Sequence, residues 1–220
     1  METIDPEEMR KIESKAESLG ISRLLLMENA GSSIARVLRD KFKDLKDKEI
    51  VVLVGSGNNG GDGLVAARHL SRYCKSLSVI LLSEEMKTPE ASKNLEIVKR
   101  MKSLKVLVAN TKDKLEEIKD RILKADIIID AIFGTGIKGS IKEPFSTAID
   151  LINNSKAFKL SVDIPSGLDP LEGRIFDKVV KADLTVTFHK VKRGLTIRKD
   201  LVGELKVEDI GIPPDVESNN

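Results

Sequence analysis

Tryptophan is absent from the 220-residue chain, Tyr73 is the one tyrosine, and aromatic residues make up 3% of it. So few stacking rings argue against a platform for nucleic-acid bases. No excess of one charge exists either: 37 basic residues stand against 35 acidic ones, a formal +2, which gives no field to attract a polyanion. Cys74 is the single cysteine, which rules out an internal disulfide framework and any C-x-x-C redox or metal motif. No apolar run reaches the length of a membrane span. Met1 leads into an acidic, polar stretch unlike a signal peptide, so a cytoplasmic location without membrane or nucleic-acid partners is expected.

Aliphatic runs alternating with amphipathic stretches fill most of the chain. Asp5-Pro6-Glu7-Glu8 reads as a helix start, with a capping aspartate, proline in the first turn and acids beside it. A second helix begins at Ser22, so residues 5–42 form a helical segment. Strands are expected at 49–54, 77–82, 106–108, 125–130, 159–163, 184–188 and 203–207, with helical patterns between most of them. Strands separated by helices imply right-handed crossovers. The expected fold is an α/β, three-layer α/β/α sandwich, Rossmann-like, with a mainly parallel sheet. One domain is expected over residues 1–220, with the core at about 48–210. The Pro213-Pro214 tail is expected to fray.

The first strand, Glu49 to Val54, runs into Gly55-Ser56-Gly57-Asn58-Asn59-Gly60-Gly61-Asp62-Gly63, with five glycines in nine positions. Gly55, Gly57 and Gly60 satisfy G-x-G-x-x-G between a strand and a helical pattern at 64–73, as a dinucleotide fingerprint requires. Glu84 or Glu85 could then bind a ribose. Against that reading, Asp62 is placed where the helix begins, and its carboxylate would compete with a pyrophosphate for the same amides. Asn58 and Asn59 add amide groups that a bare phosphate cradle does not need. The bland alternative is a tight turn with Asp62 as a helix cap. Asn29, inside an apolar helix, either caps a neighbouring loop or lines a pocket.

Ligands of open α/β sheets bind beyond the carboxyl ends of the strands. Three further strand ends carry unusual residues: Asp130 to Gly139, Asp163 to Asp169, and His189 to Gly194. Asn59, Asp130, Asp163 and Ser166 are hard oxygen ligands that no histidine or cysteine joins, which argues against zinc or iron. Oxygen-only coordination suits Mg²⁺, Ca²⁺ or an alkali cation. So little formal charge favours a monovalent ion. The simplest alternative is that Asp130 and Asp163 cap turns.

Met27-Glu28-Asn29-Ala30-Gly31, Gly57 to Gly63, Asp130 to Gly136, and Asp163-Ile164-Pro165-Ser166-Gly167 stand in order at suitable spacing. Together they resemble the YjeF N-terminal family, the NAD(P)H-hydrate epimerases, over residues 9–212. The resemblance implies epimerisation of the R and S forms of hydrated NADH and NADPH in cofactor repair. It implies K⁺ bound by Asn59, Asp130 and Ser166. Substrate contacts would come from Asn58, Asn59, Gly60, Gly61 and Asp62, from Gly134, Thr135, Gly136, Ile137, Lys138, Gly139 and Ser140, and from Asp163. Lys192 falls where relatives carry a lysine shortly before a glycine, here Gly194. Many relatives are fused to a dehydratase, so a separate dehydratase is the expected pathway partner; a homodimer is also expected as an option. His189-Lys190 replaces residues that are usually small, so the pocket rim should differ.

In hydrated NAD(P)H the hydroxyl-bearing carbon adjoins the ring nitrogen. The nitrogen can expel the hydroxyl with acid help, and water can return to the other face. Asp163 is the first candidate for proton transfer and Lys192 its candidate partner. Pro165 restrains Ile164, so a neutral isostere at Asp163 should keep the turn's shape. Two other functions compete: an ordinary NAD(P)-dependent oxidoreductase, and a non-catalytic nucleotide-binding or scaffold module.

Overall fold

The computed structural model describes residues 2–136, 139–175 and 177–217. In chain order the strands and helices are β1 (Thr3–Ile4), α1 (Pro6–Ser18), α2 (Arg23–Lys41), β2 (Glu49–Val54), α3 (Asn58–Leu70) and β3 (Ser76–Leu81). Then come α4 (Pro89–Arg100), β4 (Lys105–Val108), α5 (Lys112–Leu123), β5 (Ile127–Ala131), α6 (Phe145–Asn154) and β6 (Phe158–Val162). The chain continues through β7 (Leu184–Phe188), β8 (Val191–Lys192), α7 (Arg193–Ile197), α8 (Lys199–Val202) and β9 (Glu204–Glu208).

Seven strands form one sheet in the order β4-β3-β2-β5-β6-β7-β9, and every pairing within it is parallel. The central strands are buried because helices cover both faces, which explains the unbroken aliphatic run Ile50 to Val54 in β2. One face packs against α1 to α4 through residues such as Ile34, Leu38, Leu64 and Leu70. The other packs against α5 and α6 through Leu115, Ile122, Ile149 and Ile152. The three-layer α/β/α architecture expected from the alternation is therefore the one observed. Strand order reverses between β2 and β5, and the carboxyl ends of these two strands open the crevice where such sheets bind ligands.

Local chemistry sets the element ends. Asp5 Oδ1 accepts the Glu7 and Glu8 amides at 2.8 Å, and the Asp5 amide donates back to Glu8 at 3.2 Å, a complete capping box. Asn29 donates to the Ile210 carbonyl at 2.7 Å, so it fastens the segment after β9 onto α2. The Pro213-Pro214 tail departs from expectation. It forms a short 3₁₀ turn that buries Val216 and pairs Glu217 with Lys190, so contacts hold it as far as residue 217.

A larger departure concerns α3, which starts at Asn58 rather than Leu64. Its glycines sit inside the helix despite their poor propensity because packing leaves no room for anything larger. A Cβ on Gly60 would lie 2.0 Å from the Gly55 carbonyl oxygen, and one on Gly63 would lie 2.4 Å from the Ala131 Cβ. Gly61 is pressed equally close to Met27. The helix cap is Gly57, which offers no side chain. Asp62 therefore lies past the first turn of α3 and caps nothing.

Candidate active site

The crevice at the β2/β5 reversal deepens into a cavity of about 400 Å³. Its floor comes from the sheet's carboxyl end: Ser56 to Asn59 after β2, Ile132 to Gly136 after β5, Asp163 after β6, and Phe188 and Lys192 around β8. Asp62 joins from α3. Helices α1 and α2 roof it with Arg10, Glu13, Arg23 and Met27. The first turn of α3 points at this space with no side-chain cap, leaving amide donors for an anion. Since Asp62 is not the cap, the objection that it competes for those amides falls away.

Asp163 stands at the centre of the cavity's charge network. Its backbone has a φ of 63°, in the left-handed region, and the Ile164 amide bonds back to the Val162 carbonyl at 2.7 Å around it. Strain of this kind survives only where surroundings fix it, here by the Asp163 amide bonding Val186 at 2.7 Å. The Lys192 ammonium lies 2.6 Å from Asp163 Oδ1, and the lysine side chain is 3% exposed. Thr187 donates to the same oxygen at 3.0 Å and accepts from Lys192 at 3.1 Å. The Phe188 carbonyl takes a further Lys192 proton at 3.0 Å. The two residues singled out from the sequence thus form one ion pair.

Two more carboxyl groups share the cavity. Burial pushes Asp62 well above the ordinary carboxylate range, and the Asp163 and Glu13 charges push it further, while Lys192 opposes them. Burial also raises Glu13, with Arg23 pulling back and Asp163 adding to the rise. Glu13 had no signal in the sequence, because a lone acid on a charged helix reads as a solvated face.

Of the proposed cation ligands, Asp130 and Ser166 are hydrogen-bonded to each other and lie outside the cavity lining, which includes Asn59. Asp130 is fully buried, and no lysine or arginine pairs with it among the described residues. Its oxygens accept from Ser166 Oγ at 2.5 Å, the Ser166 amide at 2.9 Å, Ser161 Oγ at 2.8 Å and the Ile132 amide at 3.3 Å. Burial raises its affinity for a proton, and these hydrogen bonds offset part of that rise. Asn59 is buried with both amide atoms unpartnered among the described residues. A buried carboxylate without a counter-charge, and an amide oxygen without a donor, fit a low-charge cation. Asn59, Asp130 and Ser166 therefore suit K⁺, with Asp130 already occupied by four donors.

Other expected contacts are placed elsewhere. Gly60 and Gly61 do not line the cavity; they are spent on close helix packing. Gly139 and Ser140 lie on the exposed surface beyond it, and Ile137 and Lys138 fall outside the described residues. His189 and Lys190 do not form the cavity rim: Lys190 pairs with Glu2 and Glu217 instead. Glu84 accepts from Asn110 at 2.9 Å and does not reach the cavity, so it is not placed to bind a ribose there.

The family model described as YjeF-related protein N-terminus matches residues 23–194. The chain belongs to the YjeF N-terminal family. Among its members, the NAD(P)H-hydrate epimerase of Nitrosopumilus maritimus is 44% identical over 97% of both chains. A bifunctional NAD(P)H-hydrate repair enzyme of Pyrobaculum aerophilum is 48% identical over 99% of this chain, which spans 43% of that longer protein. The crystal structure of yeast ynu0 superposes with a TM-score of 0.83 at 27% identity, covering 98% of this chain and 92% of its own. The family match begins at Arg23 and so leaves α1, with Glu13, outside it.

Proposed function

We infer that the chain is an isomerase that interconverts the R and S epimers of hydrated NADH and NADPH. The observation that carries this reading is the Asp163–Lys192 pair facing a cavity beside the uncapped start of α3. Relatives of matching length are named as epimerases of this substrate, and the chain aligns with one over nearly its whole length.

In the reaction the α3 amides take the substrate diphosphate, and Asn58 hydrogen-bonds the groups beside it. Asp163 transfers a proton to or from the hydroxyl on the ring carbon next to nitrogen. Lys192 and Thr187 hold the Asp163 carboxylate in one orientation. The same carboxylate steadies the cationic ring left when the C–O bond opens. Asn59, Asp130 and Ser166 would hold K⁺, which when bound supplies a fixed positive charge that neutralises Asp130 and orders the loops after β2, β5 and β6. A separate dehydratase, a cytoplasmic location and a homodimer complete the proposal.

The test is incubation with one purified epimer of hydrated NADH, in potassium and in choline buffer, with chromatography of the other epimer. Equilibration faster than in buffer alone supports the reading, and net oxidation of intact NADH would favour the oxidoreductase instead. Potassium should raise the melting temperature of the wild type but not of Ser166→Ala, because a ligand stabilises only a state that binds it.

A further inference from the structure

Inversion through C–O cleavage needs proton traffic on both faces of the ring. The hydroxyl takes a proton and leaves one face as water, while the nitrogen lone pair forms the C=N⁺ bond. A water then adds to the opposite face and gives up a proton, which restores the neutral ring. Asp163, at the end of β6, serves one face.

A second carboxyl lines the same cavity from a different wall. Glu13 lies on α1, half-buried, and among the described residues it makes no hydrogen bond or ion pair. It is still close enough to Asp163 and Lys192 for their charges to act on it. Its helix is fixed relative to the site: β1 pairs with β8 so that Ile4 lies opposite Lys192, and the Asp5 capping box starts α1 at once. The segment carrying Glu13 and the strand carrying Lys192 are therefore one bonded unit. We propose, resting on the epimerase reading above, that Glu13 is the second acid–base group, serving the ring face turned away from Asp163.

The two carboxyls alternate. When the Glu13 acid protonates the departing hydroxyl, Asp163 accepts the proton of the incoming water, and the opposite epimer resets both. Burial raises the proton affinity of Glu13, while Lys192 and Thr187 hold Asp163 in place on the opposite wall. Asp62 is the competing carrier and enters the test.

Each pure epimer of hydrated NADH is incubated with enzyme in ¹⁸O-water, and both configuration and label are followed. Glu13→Gln is expected to slow inversion by roughly 10²–10⁴-fold. One epimer, whose hydroxyl faces Asp163, should still exchange its oxygen with retention of configuration, because cleavage and re-addition there need only Asp163. The other epimer should exchange no faster than in buffer. Glu13→Asp should recover part of the inversion, and Glu13→Ala should give the same one-sided exchange if the amide variant does not fold. Inversion at the wild-type rate in Glu13→Gln, equal loss of exchange from both epimers, or one-sided exchange in Asp62→Asn instead would overturn the proposal and leave the epimerase reading standing. A wild-type enzyme that does not interconvert the epimers would overturn both.

Discussion

Asp163 and His189 hold the same place in two matching three-residue turns, at the ends of the neighbouring strands β6 and β7. Their φ values are 63° and 64°, and the flanking residues close over them by hydrogen bonds of 2.7 and 2.8 Å. The first turn brings the Asp163 carboxylate to the Lys192 ammonium. The second lets the chain double back after Phe188, so that Lys192 returns to meet it. Backbone shape at two non-glycine positions thus sets the ion pair.

His189→Val should be destabilising, because a β-branched residue is strained at positive φ. A cost of roughly 1–3 kcal/mol is expected, with a lowered turnover as Lys192 shifts. His189→Gly should retain activity, since glycine adopts this backbone freely. Thermal melts and turnover on both variants check this, and equal behaviour would remove the turn from the account.

Asp163→Asn should lower both activity and stability. The sequence predicts an unchanged fold, because Pro165 restrains Ile164 and a neutral isostere keeps the turn's shape. The structure adds a buried ammonium that loses its counter-charge, which costs about 3–5 kcal/mol when a buried pair is broken on one side. Adding Lys192→Met to Asp163→Asn should recover much of that stability and none of the activity. A double-mutant cycle by urea unfolding measures the coupling, and additive losses would contradict it.

Gly60→Ala should destabilise the protein, although alanine ordinarily strengthens a helix by about 1 kcal/mol. The new methyl would meet the Gly55 carbonyl oxygen. Gly57→Ala faces open space at a negative φ and should fold like the wild type. Melting temperatures in the reverse order would mean that α3 does not start at Asn58.

Asp62 predicts a pH dependence. Its native carboxyl holds a proton well above the unfolded value of about 3.9. Between the two values the native state binds a proton that the unfolded chain has released, so stability falls as pH rises through the native value. Asp62→Asn removes this loss and should gain on the wild type as pH rises. Unfolding in urea across a pH series checks it, and a constant difference between the two proteins would contradict the raised carboxyl.

Much of this was legible in the residues. The continuous apolar run of β2 read as a strand covered on both faces, as it is, and Asp5-Pro6 and Ser22 marked two helix starts correctly. Of the residues named at the four strand ends, Asn58, Asn59, Asp62, Gly134, Thr135, Gly136, Asp163 and Lys192 line the cavity, and Asp130 and Ser166 do not. Helix α3 was misread because glycine's propensity points one way and its packing the other, and packing is a tertiary fact. Strands β1 and β8 were missed since two residues each carry no periodicity. Glu13 was invisible for a related reason: only the folded position of α1 turns one of its many charges inward.

Conversion of a single epimer of hydrated NADH by the wild-type enzyme in ¹⁸O-water tests the central claim most directly. The account predicts that the opposite epimer forms faster than in buffer and carries ¹⁸O on the inverted carbon, because the C–O bond opens and water returns to the other face. Formation no faster than in buffer, or an inverted product that keeps its original oxygen, would contradict it.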